Sequence, residues 1–383
     1  MASLRHHIWY THLCLKYLFD KNKHNTISEV TKTTCIAIER RPRTGSTISF
    51  TTQVMPLPPA QADFTGKTVI VTGASSGIGR EAARHFVQLN AKRVILGCRD
   101  SMKGQDAKND IINSARNTSG DGCEIQTWPV DLESFESVRA FCDRAGSLDR
   151  LDIVVENAGL LSQQYQEAEG YERLCTVNVI STWLMALLLL PILKRTKAKY
   201  YTSGKDKRIE SDIPHLCVVG SNAHFYSQLP SRDASSIFEA MRGGENMSQR
   251  YADTKLISVL VMREMAERMS SDDEAPVVLN MVDPGYCKSD LLRDGLHWRW
   301  HRRLLMAAAV PLLARSPEMG ARNYIWAVSA GSKSHGCYIE DCGLSTPAPI
   351  VDSTAGKRLQ HELFDKLCNI IGGTVAQGEP GPT

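Results

Sequence analysis

Three tyrosines in this 383-residue chain stand four positions ahead of a lysine: Tyr17 before Lys21, Tyr201 before Lys205, and Tyr251 before Lys255. On a helix that spacing puts both side chains on one face, one turn apart. A neighbouring ammonium favours the phenolate. Bringing a tyrosine from its ordinary pKa of about 10 to neutrality takes roughly 4 kcal/mol. Such a pair can hand a proton to a carbonyl oxygen or take one from an alcohol. The pattern is weak alone, so position must select among the three. Tyr17 lies in a basic arm, and Tyr201 in a charged, glycine-containing loop. Only Tyr251 opens a predicted helix, Tyr251 to Met269, after a predicted strand at Leu216–Val219. Ser221 closes that strand, and a hydroxyl at the carboxyl edge of a sheet can polarise a bound carbonyl. A serine alone there would be a turn residue; beside Tyr251 it is a candidate.

The elements that must position this pair are read from apolar periodicity. Thr68 to Gly79 reads TVIVTGASSGIG. Its β-branched start suits a fully buried parallel strand. Gly73, Gly77 and Gly79 follow, then an amphipathic helix with Ile78, Ala82 and Phe86 on one face. Strand, glycine turn and helix make a phosphate cradle, because glycines let the backbone approach an anion and the helix amides point at it. Further strands are predicted at Arg93–Gly97, Ile125–Pro129, Leu151–Val155 and Val277–Val282, with a short one near Cys337–Ile339. Between them lie helices starting near Asp100–Ser101, at Ser134 and at Tyr171. This alternation indicates an α/β, doubly wound parallel sheet of about seven strands in a single domain.

The residue about 20 positions past the glycines reaches the adenine ribose in such folds, acidic for NAD and often Arg for NADP. Here it is Arg99, whose guanidinium can fork onto a 2′-phosphate. Asp100 beside it either caps the next helix or turns to the ribose. NADP is therefore expected ahead of NAD, and Arg99→Ala is expected to weaken NADPH binding more than NADH binding.

The glycine spacing TGxxxGxG resembles that of the short-chain dehydrogenase/reductase superfamily, a Rossmann-type family. The likeness extends over about Phe64 to Ile371, with Glu156-Asn157-Ala158-Gly159 near the family's NNAG turn and Asp283-Pro284-Gly285 after strand six. It implies a tetrad of Asn178, Ser221, Tyr251 and Lys255, in which Asn178 links the lysine to solvent through water. It implies cofactor contacts from Gly73, Ser75, Gly77, Ile78, Gly79, Arg99, Asp131, Asn157, Tyr251, Lys255, Gly285 and Ser289. Asp131 falls where the family sets an acid against adenine, and Ser289 where it often keeps a Thr at the cofactor amide. Glu156 replaces the first Asn of the turn. Gly97-Cys-Arg-Asp100 and Ser221-Asn-Ala-His224 resemble the retinol-dehydrogenase-like branch, and reductases of fungal secondary metabolism. The implied activity is NADP-dependent interconversion of a ketone or aldehyde with an alcohol. A nucleotide-binding regulatory protein without turnover is the alternative.

A segment from Leu291 to Pro317 mixes Trp298, Trp300, Leu304, Leu305, Met306 and Val310 with Arg299, Arg302 and Arg303. Within an expected lid near 286–317, it would enclose an apolar substrate, pack on the body, or rest on a membrane surface. The net charge of +3 points to no nucleic-acid partner. It is uneven: residues 1–50 hold eight Lys/Arg against three Asp/Glu. Residues 1–54 are read as a disordered arm, a transit segment or a gene-model artefact before Met55, and 55–383 as the catalytic domain. Eleven scattered cysteines suggest reduced thiols in an intracellular compartment, with Cys98, Cys217 and Cys287 as core fillers. The longest apolar run, Trp183–Leu193, has 11 residues, short of the ~20 of a membrane span. It serves as core or as a helix-pairing face between copies.

Overall fold

The computed structural model describes residues 56–115, 122–201, 213–229, 231, 233–270, 277–288, 291 and 314–377. The arm, Ser289 and most of the Trp298-containing segment lie outside them. In chain order the strands are β1 (Thr68–Thr72), β2 (Arg93–Cys98), β3 (Glu124–Pro129), β4 (Ile153–Glu156), β5 (Glu167–Ala168) and β6 (Tyr171–Glu172). Then come β7 (His215–Val219), β8 (Val278–Asp283), β9 (Tyr338–Glu340) and β10 (Gly343–Ser345). The helices are α1 (Gly77–Gln88), α2 (Ser101–Ala115), α3 (Phe135–Gly146), α4 (Arg173–Tyr200), α5 (Ala234–Ala240), α6 (Met247–Ser270), α7 (Pro317–Ser329), α8 (Pro349–Asp352) and α9 (Thr354–Gln377).

One sheet runs β10-β9-β8-β7-β4-β1-β2-β3. All its pairings are parallel except β9 with β10. The strand order reverses between β1 and β4, and that switch point is where ligands bind in open α/β sheets. Alternate residues feed two cores. Val69, Val71, Val94, Leu96, Val155 and Val282 face α1, α2 and α7, while Ile70, Ile95, Val154, Leu216 and Met281 face α3, α4, α6 and α9. Both faces are covered, so the strands read as continuous apolar runs rather than alternating ones.

The structure corrects four expectations. Tyr171 does not open a helix: it pairs with Ala168 in the β5–β6 hairpin, and Glu172 caps α4 by accepting from the Leu174 and Cys175 amides. Tyr251 does not start α6 either, because the helix begins at Met247 and places Tyr251 in its second turn. The sheet has an eighth strand, β10, reached through Asp341 and Cys342 at φ 52° and 53°. That left-handed two-residue turn is one that Asn-Gly usually signals. Finally, α4 is longer than its apolar run. It is the one helix among the described residues long and apolar enough to cross a membrane, yet 89% of that stretch is buried in the fold. The nine described cysteines are free thiols, with Cys98, Cys217 and Cys287 buried.

Candidate active site

The glycine turn is built around Asn157. Its Nδ2 donates to the carbonyls of Thr72 (2.9 Å) and Gly73 (3.3 Å), and the Ala158 amide donates to Thr72 Oγ1 at 3.0 Å. The Tyr324 hydroxyl of α7 donates to Asn157 Oδ1 at 2.9 Å. Asn157 thus spends its side chain beneath the turn and holds its shape. Gly73 and Gly77 have φ of 63° and 57°, the left-handed region where a side chain is strained. A Cβ on Gly79 would stand 2.5 Å from Asn157 Nδ2 and 2.6 Å from the Gly73 carbonyl oxygen. Ser76 caps α1 from an extended backbone with no side-chain hydrogen bond to the first turn, and no acid occupies that turn. Amides at the start of α1, where Ile78 lies, preceded by Ser75 on the turn, therefore fit an anionic group such as a pyrophosphate.

Ser221, Tyr251, Lys255 and Asn178 converge at the carboxyl edge of β7. Ser221 caps a short 3₁₀ turn, Asn222–Tyr226, by accepting from the Ala223 amide at 3.2 Å. Its hydroxyl also hydrogen-bonds the Tyr251 side chain. Lys255, one helical turn on, is buried and donates from Nζ to the Val219 carbonyl at 2.8 Å. Its Nζ stands 5.7 Å from the Tyr251 ring centre. Burial pulls the lysine down to about 8, opposed by the charge of Asp283. Burial pushes the Tyr251 phenol up to about 12, with the Ser221 bond working the other way. The ligand-free pair is therefore a neutral phenol beside a lysine with a weakened hold on its proton.

Asn178 sits in a π-helical turn, Thr176–Ser181, inside α4. Such turns recur at functional sites. Its side chain closes on Leu160, accepting from the amide and donating to the carbonyl, both at 2.9 Å. Its own backbone carbonyl accepts from Ser258 at 3.2 Å. Thr254 joins the two helices, accepting from Asn178 Nδ2 at 3.3 Å and donating to the Tyr251 carbonyl at 2.8 Å. Thr254 and Ser258 follow Tyr251 at helical spacing, and that spacing was the signal that could have found them.

A family model described as short chain dehydrogenase matches residues 67–199. The short chain dehydrogenase/reductase dmxR8 of Cryptosporiopsis sp. is 34% identical over 322 residues, covering 81% of this chain and 92% of that protein. The chain belongs to the short-chain dehydrogenase/reductase family. The short chain dehydrogenase atnD of Emericella nidulans is 39% identical over 298 residues, 76% of this chain and 89% of that one. The solved short-chain type dehydrogenase/reductase of Mycobacterium marinum shares the fold at TM-score 0.52 and 22% identity, covering 73% of this chain and 94% of its own. This short-chain dehydrogenase is accordingly an NAD(P)-dependent oxidoreductase, and these two relatives are fungal short chain dehydrogenases.

The outer cofactor candidates of this short-chain dehydrogenase are placed as follows. Arg99, exposed after β2, donates to Glu133 Oε1 at 2.8 Å, an oxygen shared with Arg173 at 2.6 Å. Asp100 caps α2, its Oδ1 accepting from the Met102 and Lys103 amides at 3.0 and 3.1 Å. Asp131 uses Oδ1 to hold the Glu133 amide at 3.0 Å. Gly285, at φ 77°, donates its amide to Asp283 at 2.8 Å. Of the other two Tyr–Lys pairs, Tyr17/Lys21 lies outside the described residues. Tyr201 is half-buried against Arg150 and Asp152 at the amino edge of the sheet, away from Ser221.

Proposed function

We propose that this enzyme uses NADP(H) to interconvert a ketone or aldehyde with an alcohol on an apolar small molecule, and that residues 55–383 form its catalytic domain. The observation that carries the reading is the Tyr251 hydroxyl, bonded to Ser221 and one helical turn from buried Lys255, at the sheet edge beside the glycine turn. The first-turn amides of α1, with Gly73, Ser75, Gly77, Ile78 and Gly79, would hold the pyrophosphate, and Arg99 the 2′-phosphate. Asp131, Gly285 and Ser289 complete the contacts proposed for the cofactor, and Asn157 serves it through the turn that its side chain holds. NADPH, when bound, supplies the hydride.

In this reading Ser221 orients the carbonyl oxygen, Tyr251 gives it a proton in reduction or removes one in oxidation, and Lys255 stabilises the phenolate. Asn178 fixes the helix turn facing the lysine and supports its link to water. The exposed ring of Tyr226, at the end of the 3₁₀ turn that Ser221 caps, offers apolar contact to a substrate. The fungal relatives favour a substrate from secondary metabolism. NADP is favoured over NAD because Asp100 is spent on its helix cap, while the Arg99 guanidinium is exposed and shares its partner. A solved protein that shares the fold at 19% identity, titled a putative NAD(P) dependent gluconate 5-dehydrogenase, has NADP bound at low occupancy. Arg99→Ala is expected to weaken NADPH binding at least tenfold and NADH binding far less, read by fluorescence titration; equal losses would overturn the NADP assignment.

The test of the activity incubates the protein with NADPH and a small-molecule extract of its source. Mass spectrometry should find a compound gaining two hydrogens that Tyr251→Phe does not make. No product with NADPH, NADP⁺ or NADH would leave a nucleotide-binding protein without turnover.

A further inference from the structure

A buried carboxylate stands behind the candidate tetrad. Asp283 ends β8 and is 2% exposed. Val282, the residue before it, pairs with Val219, whose carbonyl holds Lys255 Nζ. Asp283 follows Met281 at the two-residue period of the strand, so its side chain lies on the face that α6 covers. Two donors fix it there: the Gly285 amide on Oδ1 at 2.8 Å and the Tyr338 hydroxyl on Oδ2 at 3.2 Å. Donors to both oxygens are the pattern of an ionised, acceptor-only carboxylate. A buried ammonium and a buried carboxylate in one low-dielectric region stabilise each other's charge.

We propose that Asp283 is a positioning residue for the Tyr251–Lys255 pair: its carboxylate is the fixed counter-charge that keeps Lys255 an ammonium and sets the pH range in which Tyr251 exchanges its proton. The inference rests on the reading of Tyr251 and Lys255 given above. The titratable groups around Asp283 are Tyr251 and Lys255 from α6, Tyr338 and Glu340 from β9, Tyr324 from α7, and Cys287 from the following turn. Lys255 is a cation among them, and Arg315, bridged to Cys287, pairs with Asp341 at 2.7 Å. Glu340 accepts from Ser345, on the β10 side. His224 packs against Tyr338 as a neutral ring, centroids 4.9 Å apart and planes tilted by 57°, donating from Nδ1 to the Ser221 carbonyl and accepting the Ala348 amide on Nε2. The charge of Asp283 favours the protonated form of both Lys255 and Tyr251.

The signs follow. Reduction needs the Tyr251 proton and falls as pH rises through its titration; oxidation needs the phenolate and rises through the same range. Asp283→Asn removes the negative charge, so both midpoints are expected to move to lower pH by about one unit. Tyr338→Phe leaves the charge but removes a donor that offsets it, so the midpoints are expected to move to higher pH by a fraction of a unit. A second readout needs no turnover. In cofactor-free protein labelled with [ε-¹³C]lysine, the Lys255 signal, assigned by its loss in Lys255→Met, is expected to titrate lower in Asp283→Asn than in the wild type. Opposite displacements in the two variants support the proposal. An unmoved Lys255 titration in Asp283→Asn, or an unmoved profile in Tyr338→Phe if the former does not fold, overturns it. Absence of any turnover would count against the functional reading alone, since the lysine titration still decides this one.

Discussion

Tyr251→Phe is expected to lower kcat by about 10²–10⁴, the usual contribution of a positioned proton donor, while NADPH affinity changes by no more than a few-fold. The ring keeps its place in the second turn of α6, so packing against Lys255 survives. What is lost is one hydroxyl and its bond to Ser221. Stopped-flow turnover and a cofactor titration on the same preparation separate the two effects. Tyr201→Phe is the matched control, because its hydroxyl serves Arg150 and Asp152 at the opposite edge of the sheet. It should cost stability and leave kcat unchanged. Retained activity in Tyr251→Phe would move the proton donor elsewhere.

Gly79→Ala is expected to cut NADPH affinity at least tenfold and to destabilise the fold by about 1–3 kcal/mol, the range for overfilled sites. One methyl group suffices because the obstacles cannot yield. The added carbon would meet Asn157 Nδ2 at 2.5 Å and the Gly73 carbonyl oxygen at 2.6 Å. Asn157 is itself pinned by Thr72, Gly73 and Tyr324. Relief must come from the turn, and a displaced turn re-aims the amides of α1. Gly243→Ala, where nothing lies within 4 Å of the new carbon, should do neither. The urea midpoint and a fluorescence titration check both effects. Unchanged affinity in Gly79→Ala would mean the turn does not hold the cofactor.

Much of this was legible because strong local signals carried it. The β-branched runs of β1, β2, β7 and β8 are buried on both faces and left no ambiguity of period. The glycine turn announced itself by spacing, and Asp100 or Ser101 as a cap narrowed to Asp100 once both amides were seen on its carboxylate. The failures share a cause. Tyr171 follows helix-like spacing into α4, but pairing with Ala168 outweighs local propensity. The π turn around Asn178 has no composition of its own. Asp283, His224 and Tyr324 act through partners 55, 124 and 167 positions away. No local pattern encodes such a pairing, even though Asp283 adjoins the Pro284-Gly285 already singled out.

The reach of those bonds bears on how the molecule is made. The glycine turn is complete in sequence by residue 79, yet the hydroxyl that steadies Asn157 belongs to Tyr324. Ser221 is likewise steadied through His224 by the amide of Ala348. At translation rates of about 5–20 residues per second, Ala348 follows Gly79 by roughly 13–54 seconds. Until Tyr324 is made, late in that interval, the nascent polypeptide carries every residue of the glycine turn without the hydroxyl that steadies it. Nucleotide capture and proton transfer should therefore emerge together, once Ala348 has been made, rather than in the order in which their motifs are written.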